Sequence, residues 1–214
     1  DTGGAAGEAA DEAAGEAAED AAAAGLPDRA AVALLAEDLA DDVEVVAGRL
    51  PAGVAVVSLR LRGIDHASTV SSVASVSLEP PLVLFGVHVD ARLREALDEQ
   101  DLWVLSVLAD DQAPVADWLA SPGRPAFDQL SRVDHVREER TDGAIIVGAA
   151  AWFACRTSAV HRAGDHDLVV GEVLELGEGE PTAGGLVHHR GRLRAVTGAE
   201  RRIARGNRRQ AGSA

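Results

Sequence analysis

From Asp28 onward the hydrophobic positions change period several times, and each change predicts an element. Ala31, Val32, Leu34, Leu35, Leu39, Val43 and Val46 recur mostly three or four apart. That spacing predicts an amphipathic helix capped by Asp28 and ended by Gly48 and Pro51. Residues 54–61 form a β-branched, aliphatic run and predict a strand. Arg62-Gly63-Ile64-Asp65 reads as a hairpin turn, with 66–77 as its return strand. Another strand over 82–89 follows the Pro80-Pro81 break. Leu93 and Leu97 share one side of a short helix over 91–100, and a strand covers 102–108. Asp110 or Asp111 can cap a helix through Val115, Trp118 and Leu119 that stops at Ser121-Pro122-Gly123. Residues 144–160 predict a long strand bent near Gly148, and 168–176 and 186–189 two more. Strands dominate without a strand–helix–strand rhythm, which predicts a mainly β, closed or partly closed antiparallel barrel with flanking short helices.

Composition sharpens this picture. The chain has 214 residues, enough for one domain with tails. It is 47% hydrophobic but only 3% aromatic, so the core must be built from Val, Leu and Ala. Residues 1–27 carry acidic side chains and no basic one amid Ala and Gly, which favours a disordered tail over a frayed helix. The domain then spans 28–198, and 199–214 is an Arg-rich tail. A net charge of −15 argues against nucleic acid as the main partner. One cysteine, Cys155, forms no internal disulfide and fits a reducing, cytoplasmic setting. The longest apolar run, 144–155, is too short to span a bilayer.

The chemistry-bearing feature is the stretch 68–84, with five serines and one threonine laid between valines before the double proline. A buried hydroxyl needs a hydrogen-bond partner, so this density suits a wall offering hydroxyls and backbone N–H groups to a flat, polar-edged ligand. No P-loop and no nucleophile elbow are present. Gly177 and Gly179 lead into Pro181 rather than a helix, so a dinucleotide fingerprint fails. The histidines lack metal-ligand spacing, and no metal is expected. These absences favour chemistry borrowed from a cofactor.

The serine-rich segment ending in Leu78-Glu79-Pro80-Pro81-Leu82, followed by Ala151-Trp152-Phe153, Gly164-Asp165-His166 and His189-Arg190-Gly191, resembles the flavin reductase family over roughly residues 42–196. The resemblance implies the FMN-binding split β-barrel, a Greek-key antiparallel fold. It implies an NAD(P)H:flavin oxidoreductase that transfers hydride to FMN or FAD and supplies reduced flavin to a monooxygenase. It also implies a homodimer. Thr69, Val70, Ser71 and Ser72 fall where the family lines the isoalloxazine, and the strand carrying Ser106 is expected to form the opposite wall. His88, Asp90, Ala91 and Arg92 match the segment that holds the ribityl chain and phosphate, with His88 in place of an Asn and Asp90-Ala91 in place of serines. Arg124 is expected as a phosphate clamp, although Pro125-Ala126 separates it from Phe127. His166 sits where the family places a histidine beside the nicotinamide, and Arg190 and Arg192 are candidates for the dinucleotide phosphates. Two other readings stay open: a non-catalytic flavin- or haem-binding split barrel, and a barrel oxidase using deazaflavin or pyridoxamine phosphate. The absence of lysine weighs against the latter where it needs a Schiff base.

Overall fold

The computed structural model describes residues 42–43, 45–125, 127–181 and 183–196. The chain divides into two units, Asp1–Leu50 and Pro51–Ala214. In the first, the described residues up to Ala47 are helical and the helix stops before Gly48. Its expected Asp28 cap lies outside the described residues, as do both expected tails.

In the second unit, β1 (Ala52–Gly53), β2 (Ala55–Leu61), β3 (Ile64–Val70), β4 (Val73–Leu78) and β5 (Pro81–His88) precede helix α1 (Arg92–Leu97). Then come β6 (Leu102–Val107), helix α2 (Ala113–Ala120), β7 (His135–Arg137), β8 (Ala144–Ile146), β9 (Ala151–Ala163), β10 (His166–Glu178), β11 (Gly185–His189) and β12 (Arg192–Val196). The main sheet runs β3-β2-β6-β9-β10-β5-β4, with antiparallel pairing throughout. Its two edge strands, β3 and β4, are consecutive in sequence. Ser71-Ser72 joins them, and Gly86 N donates to Ser72 O at 2.9 Å. The sheet therefore rolls up and is closed by a covalent corner rather than a strand ladder, which makes it a split barrel.

β2 explains why its sequence reads as an almost continuous apolar run. Ala55, Val57 and Leu59 point into the barrel beside Phe85, Trp103, Leu105 and Val169. Val54 and Val56 point outward into a second cluster with Leu108, Ala116, Leu119 and Ile146. A strand buried on both faces loses the alternation of a half-exposed one.

Several boundaries differ from the sequence expectation. The expected strand 66–77 is two strands broken at the Ser71-Ser72 corner. The expected strand 144–160 is β8 and β9, separated by a turn in which Gly148 has φ +80°. Neither Asp110 nor Asp111 caps α2. Gln112 occupies that position without a side-chain cap bond. Its amide is used elsewhere: Oε1 accepts from Ala109 N at 3.0 Å and Nε2 donates to Val147 O at 2.8 Å. β7 and β12 were not expected.

Cys155 is fully buried opposite Trp103. Burial pushes its thiol up to about 12. Since the thiolate is the nucleophile, native protein should react with Ellman's reagent roughly a thousandfold more slowly than unfolded protein. Prompt native labelling would contradict the packing of β9.

Candidate functional site

β3 serves two cavities, because successive side chains point to opposite faces. On one face His66 and Ser68 open onto a cavity of about 260 Å³. Asp90, Ala91 and Arg92 close it from the start of α1, and Ala120, Ser121, Gly123, Arg124 and Gln129 from α2 and the loop after it. Arg124 is anchored by its backbone partners: Nη2 donates to Ala67 O at 2.6 Å and Nη1 to Ser121 O at 3.4 Å. Arg92 Nη1 reaches Arg124 O at 3.4 Å. Among the described residues neither arginine takes part in an ion pair. Burial, and then the like charge of Arg92, depress the Arg124 guanidinium from its ordinary value. Two cations held together without a carboxylate partner make a site for a ligand anion.

The same cavity collects unsatisfied polarity. Among the described residues the buried side-chain nitrogens without a hydrogen-bond partner are His66 Nδ1 and Arg124 Nε. Both residues line this cavity. A buried polar atom without a partner is rare enough to require a reason, and a polar ligand supplies one here. The residues therefore fit a phosphorylated ligand.

On the other face Thr69, with Ser71 just beyond, opens onto a cavity of about 360 Å³ that also includes Ala120. Val54, Ala116, Asp117, His188, Gly191 and Leu193 complete it. The Thr69 hydroxyl donates to Ala116 O at 2.8 Å, so its proton is committed to α2 while its oxygen keeps acceptor capacity. Val70 is buried and can offer only backbone to a ligand. Ser72 is exposed, and its Cβ lies 3.0 Å from where a side chain on Gly86 would begin. Ala120 lines both cavities, so they adjoin at the end of α2.

The β5–β10 ladder brings the third group in. His166 pairs in register with His88, and their rings meet edge to face at 5.3 Å. Val89 N donates to Asp165 O at 3.0 Å, and Asp90 N donates to His88 Nδ1 at 3.1 Å. Asp90 lines the cationic cavity, and its N–H bond to His88 connects that segment to the histidine pair. His166 Nδ1 lies 2.8 Å from Asp165 Oδ1. That bond holds the exposed Asp165 carboxyl below the usual carboxylate range. A carboxylate can only accept, so Nδ1 donates in this bond. Behind the pair, buried Asp167 binds Arg94 Nε at 2.5 Å and Arg162 Nε at 3.0 Å. The Arg94 bond pulls the Asp167 carboxyl down. This ties α1, which begins at Arg92, to the strand that starts at His166.

Of the expected residues, Asp90, Ala91, Arg92 and Arg124 line one cavity; His88 and His166 are not among its lining residues and meet each other on the β5–β10 ladder. Thr69 and Ser71 line the adjoining one. The expected wall from β6 is corrected. Ser106 is fully buried, its Oγ accepts from Ile146 N at 3.1 Å, and β2 stands between β6 and β3. Arg190 sits at φ +54° in the exposed β11–β12 turn; its neighbour Gly191, not Arg190, reaches the second cavity. Arg192 is also exposed. Sequence reasoning missed His66, Gln129, Asp117 and His188. For His66 the available signal was its place two residues before Ser68 on one strand face.

The fold is a barrel split at a hydroxyl-bearing corner, with a cationic cavity on one side of β3 and a second cavity on the other. Residues 47–197 match the flavin reductase-like domain, and the chain belongs to that family. It is 38% identical over 153 residues to an NADH-dependent FMN reductase of Streptomyces nodosus subsp. asukaensis, covering 67% of this chain and 78% of the relative. It is 35% identical over 153 residues to an NADH-dependent FAD reductase of Streptomyces globisporus, covering 70% and 81%. Among solved structures, the flavin reductase component of a bacterial two-component tryptophan halogenase superposes with a TM-score of 0.70 at 34% identity, covering 75% of this chain and 99% of that one.

Proposed function

We propose that this chain is an NADH-dependent flavin reductase that passes reduced flavin to a partner oxygenase. The observation that carries the reading is the meeting of Arg92 and Arg124, neither of them in an ion pair among the described residues, in a cavity that His66 and Ser68 of β3 also line. The flavin phosphate is placed between the two arginines. The ring is placed against the corner formed by Thr69, Val70, Ser71 and Ser72. A flavin held there supplies the acceptor for the hydride of the dihydronicotinamide.

The protein's own part is positioning. Backbone groups of the corner and the Thr69 and Ser71 hydroxyls orient the ring edge with fixed dipoles that need no rearrangement. The His166 ring, oriented by its bond to Asp165, is the side chain we assign to the nicotinamide carboxamide. Holding two rings at reacting distance is the main contribution such a site makes. NADH is favoured as donor because relatives named for this activity are NADH-dependent. Relatives named as reductase components of 4-nitrophenol and 4-hydroxyphenylacetate monooxygenases support the oxygenase partner. No described helix is long and apolar enough to cross a membrane; a cytoplasmic setting is inferred from the lone, unbridged Cys155. A homodimer is inferred from the β4 edge, where Val76 and Leu78 are exposed. Beside that edge an apolar cleft of about 200 Å³ opens between Val73, Leu105, Val107 and Phe153.

The test is steady-state NADH oxidation with added FMN. Wild type should turn over, and His166→Ala should raise the NADH KM about tenfold, the worth of one hydrogen bond, with FMN affinity within about twofold. Unchanged nicotinamide kinetics would remove His166 from the site.

A further inference from the structure

We propose that His66 is a specificity residue of the cationic cavity: it takes up a proton as a flavin phosphate enters and becomes a third cation beside Arg92 and Arg124. The inference rests on the phosphate placement proposed above, and it goes beyond it by making recognition of the phosphate proton-linked.

Geometry carries the argument. His66 and Ser68 lie on the same face of β3 and line the cavity with Arg92 and Arg124. His66 Nδ1 is buried without a partner, as is Arg124 Nε, the other such atom among the described residues. The carboxylate nearest in sequence, Asp65, is already used. Arg137 Nη1 and Nη2 grip its two oxygens, each at 2.6 Å. Among the described residues His66 Nδ1 therefore has no hydrogen-bonded carboxylate, and a ligand anion drawn by the two arginines would supply an anionic partner.

The surrounding charges set the sign. Burial is the largest influence on His66 and holds its pKa below the ordinary value. Asp65 on its own strand and Glu95 on α1 push it upward, and Arg92 at the start of α1 pushes it down. Asp90 also faces the cavity from the segment before α1. The free imidazole is therefore neutral near neutral pH. An arriving phosphate adds negative charge at the point where Arg92 repels a proton, so the pKa rises in the complex and binding takes up a proton. Between the free and bound values, FMN affinity contributed by His66 falls as pH rises. The phosphate's own ionisation acts in the opposite direction and is shared by every variant, so the comparison with His66→Gln isolates the ring.

The experiment measures FMN and riboflavin binding by flavin fluorescence quenching, for wild type and His66→Gln, and follows the His66 imidazole by NMR with each ligand. His66→Gln should weaken FMN binding about tenfold near pH 6, with the difference shrinking toward about pH 8, and change riboflavin binding less than about twofold. The His66 resonance should titrate at higher pH with FMN than without it and be unmoved by riboflavin. Equal losses for both ligands, or a His66 titration indifferent to FMN, would overturn the inference. Arg124→Gln separates the two levels. If it selectively weakens FMN while His66→Gln does not, only the role of His66 falls. If wild type itself fails to prefer FMN over riboflavin, the phosphate placement falls with it.

Discussion

Arg124→Gln is expected to weaken FMN binding by roughly 30- to 100-fold while changing riboflavin binding less than about threefold. The guanidinium is half-buried and depressed by burial and by Arg92, and its Nε has no partner within the described protein. It is thus a desolvated cation whose compensation comes from outside the chain. A charge-assisted hydrogen bond to phosphate is worth about 2–3 kcal/mol, which sets the size of the loss. Riboflavin controls for damage to the loop, since Nη2 also holds Ala67 O at 2.6 Å, and local disorder would harm both ligands alike. Arg124→Lys should recover only part of the affinity, because an ammonium cannot hold Ala67 O and a phosphate in one plane. Titration by fluorescence quenching at low ionic strength reads all three variants. A parallel loss for FMN and riboflavin would move the phosphate elsewhere.

Gly171→Ala should destabilise the fold by about 2–4 kcal/mol, lowering Tm by roughly 5–12 °C. Gly171 sits at a register shift of the β9–β10 ladder. A Cβ there would lie 2.2 Å from Trp103 Cζ2 and 2.7 Å from Cη2. The indole cannot withdraw. It is fully buried, its Nε1 donates to Thr157 Oγ1 at 2.9 Å, and its ring meets Phe85 edge to face at 5.0 Å. Cys155 closes the other side, with its Cβ 3.1 Å from the added carbon. Glycine is needed here for space rather than for a left-handed backbone, since none of the positive-φ glycines is Gly171. Trp103→Phe should relieve the clash, so the double variant should lose less than the sum of the single ones. A change below about 0.5 kcal/mol in urea denaturation would mean that the barrel interior is looser than described.

How much of this could be read from the residues varies by element. β2 was legible because burial on both faces left an apolar run too short for anything but a strand. The split barrel was legible from strand count and from the resemblance. The break at Ser71-Ser72 was not, because hydroxyl-rich residues continue the β pattern across it. Only the rolled sheet shows that β3 and β4 are its opposite edges. Arg92, Asp90 and Arg124 were legible as a segment and a loop. Their convergence depends on α2 ending beside β3, which local patterning does not encode. Ser106 was misread for a physical reason: its hydroxyl is satisfied by Ile146 N, on a strand forty residues away in sequence. The cap of α2 was misread similarly, since Gln112 serves Ala109 and Val147 rather than the helix. His66 stayed hidden because a histidine on a strand is unremarkable until a roof of α1 and the post-α2 loop buries its Nδ1.

The most direct measurement of the central claim is a crystal of the protein soaked in FMN. The account predicts the phosphate between the side chains of Arg92 and Arg124, and the ring edge on the backbone of the β3–β4 corner at Thr69–Ser72. FMN found with its phosphate away from both arginines would contradict it.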